Sequence, residues 1–186
     1  MSDVLQVRYW ADPILSTICE PVRDTEFGSK LEEFASQLLT TMNTHKGIGL
    51  AAPQVGIARR IFIMHFPESA KEGKLTSPPL VACNPTLELS GETLYEQEGC
   101  LSVPTIFEQV ARPKTAVMRY FTVLGEEQEV ELHNMNARVA AHEFDHLNGI
   151  MFFDRRRVSK QVNKAVERAW EKQKRKIFIK KSAKVG

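Results

Sequence analysis

No apolar run in these 186 residues approaches the roughly 18 to 20 that a membrane-spanning helix needs, and no membrane association is expected. The opening stretch, Met1 to Trp10, has no basic region followed by an apolar one. Acidic residues come early, at Asp3 and Asp12. Neither a secretory leader nor an organellar transit peptide is therefore expected, and the protein is expected in the cytoplasm. Cysteine is scarce and odd in number: Cys19, Cys83 and Cys100. Without an export signal, three thiols do not suggest a disulfide framework; each is a buried small hydrophobe or a liganding or reactive group. There is no internal repeat and no low-complexity tract, and no Lys-Ser or Lys-Thr closes a glycine-rich stretch as a phosphate loop requires.

What is present is the balance of a globular protein, 42% hydrophobic and 26% charged, at a length suited to one domain with a substantial core. The formal net charge of +2 hides an asymmetry. Residues 155–186 hold 13 Lys and Arg against two Glu, a net of +11, while residues 1–154 carry −9. The basic end is a candidate polyanion-binding element or a solvated helix with a basic tail.

Asp12-Pro13 and Glu20-Pro21 mark a loop-like entry. Phe27, Leu31, Phe34, Leu38 and Met42 recur at helical spacing, with Asp24 or Thr25 as a cap and Gly47 as a stop. A β-branched and aromatic run at 60–66 predicts a strand, and 67–79 reads as a polar loop. Strands are expected at 80–83 and 86–95, with a hairpin at 115–123 and 127–133 turning at Gly125. A second helix is predicted from Asn134 or Asn136 to Asn148-Gly149, and a third after Ser159 with Val162, Val166, Ala169 or Trp170, and Ile177 as its stripe. Helices segregated from strands in this way indicate an α+β fold.

The second helix carries His142-Glu143-Phe144-Asp145-His146, an HExxH pattern. Side chains four apart share a helix face, so both imidazoles can address one metal ion, with Glu143 within reach of a bound water. A catalytic centre usually has three protein ligands and one open position. No histidine follows His146, which excludes a downstream His ligand. Two sources stay open: Glu167, 21 residues beyond His146, which otherwise reads as an ordinary charge on a basic helix, and the upstream Cys100. Cys100 lies in Glu98-Gly99-Cys100-Leu101-Ser102-Val103-Pro104, and thiolate suits Fe²⁺ or Zn²⁺. Cys19 and Cys83 have no such setting and read as inert. A third segment, Gly47-Ile48-Gly49-Leu50-Ala51-Ala52-Pro53-Gln54-Val55-Gly56, is rich in small residues that let a substrate backbone approach, and Gln54 can donate an amide N–H to an oxyanion.

Taken together, GIGLAAPQVG (47–56), EGCLSVP (98–104) and HEFDHLNG (142–149) resemble the three signature motifs of peptide deformylase, in order and at similar spacing. The likeness extends to ADPILSTICEPV (11–22). The resemblance implies a single α+β domain over 1–186, with mixed or antiparallel sheets packed around the HExxH helix, an N-terminal helix, and a basic C-terminal helix and tail at 155–186. It implies removal of the formyl group from N-formylmethionyl nascent chains. It further implies Cys100, His142 and His146 as metal ligands and Glu143 as general base and acid. Gln54 and the Leu101 N–H would stabilise the oxyanion. The backbone of Ile48, Gly49 and Gly99 would hold the peptide as an added strand. Fe²⁺ is the metal implied, although the ligand set also accepts Zn²⁺, Ni²⁺ or Co²⁺. Val139 is expected to wall the methionine pocket, and Arg112 to meet the substrate or pair with Glu98. Ala141 stands where many relatives carry Gln. The basic tail would contact ribosomal RNA. Two rival readings are a zinc endopeptidase with Glu167 as third ligand and a ribosome-associated binding module without turnover.

Overall fold

The computed structural model describes residues 3–67, 70–71, 74–75 and 77–155. The third helix expected after Ser159, and Glu167 with it, lie outside the described residues. Among those described, two α-helices pack on an antiparallel sheet: α1 (Ser29–Thr44), β1 (Gly49–Ala51), β2 (Ile61–Met64), β3 (Ala70–Lys71), β4 (Lys74–Leu75), β5 (Leu80–Cys100), β6 (Val103–Phe121), β7 (Glu127–His133) and α2 (Asn134–Leu147). The five-stranded sheet runs in the order β1-β2-β5-β6-β7, every pair antiparallel, and β3 and β4 form a small separate hairpin inside the segment expected to be loop.

Side-chain alternation explains why β2 is apolar throughout. Ile61 and Ile63 point into a core with Leu31, Leu38 and Met42 of α1. Phe62 and Met64 point the other way, into a core with Ala137, Ala140 and Leu147 of α2. A strand covered on both faces needs no polar side, so Ile-Phe-Ile-Met is wholly buried. Each such fully buried side chain contributes roughly 1.5–3 kcal/mol. The same alternation carries through β1, where Leu50 joins the α1 core and Ala51 the α2 core.

Several boundaries differ from expectation. The first helix starts at Ser29 rather than near Asp24, because Gly28 takes φ 106 and interrupts the chain; Asp24–Glu26 forms a separate 3-10 turn. The strands expected at 80–83 and 86–95 are one strand that continues to Cys100, with a register shift between Cys83 and Thr86. There Asn84, at φ 49, bonds the Val22 N–H and C=O through its side-chain amide, so the irregularity is a tether to the entry segment. Strand β6 likewise begins at Val103 rather than 115, so the cysteine motif is the turn between two long strands.

The HExxH helix runs from Asn134 to Leu147 with Asn148 as C-cap. Gly149 follows at φ 69, and a Cβ there would meet the Ser16 backbone at 2.7 Å, so this stop requires glycine on two counts. Arg60 closes the same end, donating to the Leu147 carbonyl and the Asn148 side chain and lying 5.4 Å from the Phe144 ring centroid. The entry segment ties the site segments together: the Arg8 N–H donates to the Gln54 carbonyl, the Trp10 N–H to the Ser102 carbonyl and the Cys19 N–H to the Leu147 carbonyl.

Candidate metal centre

Three elements bring the chemistry-bearing residues to one cleft of about 650 Å³: the β1 loop, the end of β5 and the inner face of α2. Its lining includes Ile48, Gly49, Gln54, Gly99, Cys100, Leu101, Val139, His142 and Glu143. His146 sits just behind, 1% exposed.

The donor atoms of Cys100, His142 and His146 all lie within 4.8 Å of one another, with Cys100 Sγ 3.3 Å from His146 Nε2. An ion bound tetrahedrally at about 2.3 Å from sulfur and 2.1 Å from nitrogen needs donors roughly 3.3–3.6 Å apart. One pair already has that spacing, and the remaining donors close on it by at most about 1.5 Å. The electrostatics also suit a cation. Burial lowers the pKa of His146 well below the imidazole norm, which keeps the ring neutral and able to ligate. Burial opposes charge on His142 too, yet hydrogen bonds to Cys100 and Glu98 hold its pKa well above the norm. A thiol and two imidazoles converging beside the Glu98 carboxylate form a donor set that suits a divalent cation. Cys19 and Cys83, by contrast, are buried, and burial pushes their thiols up to about 11 and about 12.

Glu98 is the hub behind His142. Its Oε2 lies 3.0 Å from His142 Nδ1 and accepts from Arg112 Nη2 at 2.9 Å. Its Oε1 accepts from Arg112 Nε and Arg138 Nη1, each at 2.7 Å. Burial alone would raise this carboxyl, but the hydrogen bonds from His142 and Arg112 hold it at about 2, so it is ionised. A carboxylate on the second ring nitrogen fixes tautomer and orientation, leaving Nε2 for a metal. Of the two roles expected for Arg112, the structure shows the pairing with Glu98. It also shows a bond to Asp145 Oδ2 at 2.8 Å. Sequence reasoning missed Arg138 and Asp145; their only signal was that each is a charge on the buried face of a helix whose register His142 already sets.

Glu143 lies beside the centre, 4% exposed, and burial raises its pKa to about 7. Gly49 faces it so closely that an added Cβ would overlap the carboxylate, with Cδ at 2.8 Å and Cγ at 2.9 Å. Gln54 is anchored through Oε1, which accepts the Ala51 N–H at 2.7 Å. Its Nε2 is thereby aimed inward, 3.3 Å from Cys100 Sγ and 3.2 Å from Ser102 Oγ.

Two strand edges border the cleft. β1 is the outermost strand of the sheet. The Ile48 carbonyl already accepts the His65 N–H, so by antiparallel alternation the N–H and C=O of Gly49 turn to the open side. β2 pairs only with residues 80–83 of β5, which leaves the edge of β5 at Gly99 without a β2 partner. The Ile48 side chain is exposed beside the cleft.

An α+β scaffold whose HExxH helix and strand-end cysteine form a possible metal site beside a buried carboxylate defines an enzyme of the HExxH metallohydrolase class. Within that class the chain belongs to the polypeptide deformylase family, which its sequence matches over residues 4–162. It is 41% identical over 158 residues to a peptide deformylase of Thermotoga neapolitana, covering 84% of this chain and 90% of that one. The crystal structure of peptide deformylase from Thermotoga maritima superposes with a TM-score of 0.75 at 37% identity, covering 84% of this chain and 99% of that chain. A Met-Ala-Ser-bound class I type b peptide deformylase from Acinetobacter baumannii does so at 0.76 and 38%, covering 83% and 99%. The enzyme is a metal-dependent hydrolase that removes the N-formyl group from nascent polypeptides. No helix among the described residues is long and apolar enough to cross a membrane.

Proposed function

We propose that Cys100, His142 and His146 hold one divalent ion, Fe²⁺ in the working enzyme, and that Glu143, Gln54 and the Leu101 N–H carry out deformylation of an N-terminal formylmethionine. The observation that supports this most is the convergence of three metal donors within 4.8 Å next to a buried carboxyl with a pKa of about 7. A divalent ion bound there supplies Lewis-acid chemistry, making water acidic near neutral pH. Glu143 is tuned to take a proton from water and hand it to the leaving amine, since transfer in both directions works best near the operating pH. Gln54 Nε2, fixed by the Ala51 N–H, and the Leu101 N–H donate to the oxygen that gains charge as the formyl carbon becomes tetrahedral. The peptide lies as an extra strand between the edges at Gly49 and Gly99, flanked by the Ile48 side chain, with the methionine side chain against Val139. Because formyl bears only hydrogen on its carbon, a small cavity selects it over acetyl.

The motif resemblance supports Fe²⁺, while thiolate and imidazole also accept Zn²⁺, Ni²⁺ or Co²⁺. Anaerobic iron-loaded protein should lose activity in air and the zinc form should not; iron-loaded activity that survives prolonged aeration contradicts the assignment. Gln54→Ala should lower kcat about 10²- to 10³-fold with metal content unchanged. Glu167→Ala should retain metal, and loss of metal there would favour the endopeptidase reading instead. We read residues 1–186 as one cytoplasmic catalytic domain whose basic segment, 155–186, contacts ribosomal RNA, supported by its net charge of +11. Deleting the residues after Ala169 should reduce co-sedimentation with ribosomes at low salt; unchanged co-sedimentation would refute that contact.

A further inference from the structure

We propose that Arg155, with the 3-10 turn that carries it (Phe152–Arg155), is a positioning residue for the His142 ring, acting through Asp145, Arg112 and Glu98. The inference rests on the reading of His142 as a metal ligand.

The connection is continuous. Arg155 grips both oxygens of Asp145 at 2.6 Å, Nε on Oδ2 and Nη2 on Oδ1. Asp145 Oδ2 also accepts Arg112 Nη1 at 2.8 Å. The remaining face of the Arg112 guanidinium forks onto the two Glu98 oxygens at 2.7 and 2.9 Å, and Glu98 Oε2 holds His142 Nδ1 at 3.0 Å. Arg112, Asp145 and Glu98 are 2%, 3% and 6% exposed, so little water competes along this path. The Arg155 side chain is half-exposed at its outer end.

The same turn reaches His142 by a second route. The Phe152 ring stacks on the His142 ring, with centroids 5.9 Å apart and planes 27° from parallel. The turn is itself pinned by Asp154, whose side chain accepts the Met151 N–H at 2.9 Å. Phe152 thus backs the ring while Arg155 secures the hydrogen-bond path to its Nδ1.

Competition for Arg112 makes Arg155 matter. Asp145 is buried, and without Arg155 it has only Arg112 among these guanidiniums. Arg112 then turns toward Asp145 and its fork on Glu98 loosens; Arg138 still holds Oε1, but Oε2, the oxygen that orients His142, loses its guanidinium partner. With Arg155 in place, each buried carboxylate has two guanidinium partners, Arg112 being shared.

Co²⁺-loaded protein would be challenged with excess EDTA and metal release followed by visible absorbance. A direct change at a carboxylate behind a metal-bound histidine weakens the site by about 10- to 100-fold, so Glu98→Gln sets that upper scale. Arg155→Ala, three links further along the path, should speed release less, about 3- to 10-fold. Arg155→Lys keeps the charge without the fork and should fall between parent and Arg155→Ala. The melting temperature of metal-free Arg155→Ala should stay within about 3 °C of parent. In the Glu98→Gln background, Arg155→Ala should add nothing, because its path is already cut. Parent-like release in Arg155→Ala, the same acceleration in both backgrounds, or a metal-free melting shift larger than that bound would each overturn the proposal. Should Glu98→Gln fail to fold, the ordering of Arg155→Ala and Arg155→Lys decides. Cys100→Ser is the control: if it releases Co²⁺ at the parent rate, the ligand assignment itself fails, and otherwise only the relay is under test.

Discussion

Replacing Gly49 with alanine should remove most of the activity while leaving the fold and the metal in place. The backbone at Gly49 is not in the left-handed region, so alanine brings no conformational strain. The effect comes from space. The new Cβ would lie 2.8 Å from Glu143 Cδ and 2.9 Å from Cγ, and it would overlap Oε1. Non-bonded carbons sit comfortably at about 3.5–4.0 Å, so the carboxylate or β1 must retreat by roughly 0.7–1 Å. A displacement of about 1 Å at a reacting group costs on the order of 10²-fold in rate, which is about 2.7 kcal/mol in the barrier. The loss should fall on kcat if Glu143 moves and on KM as well if the β1 edge moves, since Gly49 is also the proposed peptide contact. Steady-state deformylation, metal content and a melting curve read all three quantities. Activity within threefold of parent at full metal content would refute the claim that Glu143 works from the position it occupies here.

Four further predictions concern Glu98, the three thiols and Arg60. Glu98→Gln should destabilise the protein by about 3–5 kcal/mol, because Arg112 and Arg138 are left in the interior with less negative charge; urea unfolding measures it, and a loss below 1 kcal/mol contradicts the network. The pH profile should change with it. The folded pKa of Glu98 is depressed from 4.5 to about 2, so its contribution is fully present above pH 4.5 and lost as pH falls toward 2; the parent should lose stability across that window and Glu98→Gln should lose less. In metal-free protein near pH 8, one thiol, Cys100, should react rapidly with a disulfide reagent and three after unfolding, since Cys19 and Cys83 are buried with thiols at about 11 and about 12. Three rapid thiols in the folded protein would count against this. Arg60→Ala should lower stability by about 1–3 kcal/mol through loss of the bonds that close the end of α2, and no shift in the melting temperature would refute that role.

Periodicity made the elements nearest the site readable. The HExxH helix begins and ends where its asparagines and Gly149 predicted, and the β2 run and the hairpin at Gly125 need only local signals. The lengths of β5 and β6 were not readable. Pro85 and Gly99 look like breaks along the chain, but the structure absorbs both as register shifts, with a third at Ser90–Thr93, and continues pairing across them. Gly28 was overlooked as a helix breaker because Phe27 and Leu31 kept the apolar spacing on either side of it. Among candidate site residues, Cys100, His142, Glu143 and Gln54 stood out because their chemistry is rare at such spacing. Arg138, Asp145 and Arg155 did not, because a charge on a helix or near its end reads as surface until the packing around it is seen. Phe152 was hidden for the opposite reason: an aromatic among apolar residues reads as core, and its stacking on His142 is visible only in three dimensions.

The most direct measurement is deformylation of formyl-Met-Ala-Ser by anaerobically purified, iron-loaded protein, with Cys100→Ala and Glu143→Ala assayed alongside for turnover and bound metal. The parent should turn over, Cys100→Ala should lose both metal and activity, and Glu143→Ala should retain metal with activity reduced by several orders of magnitude. A Cys100→Ala protein that keeps its metal, or a Glu143→Ala protein that keeps its rate, would contradict the assignment of this centre.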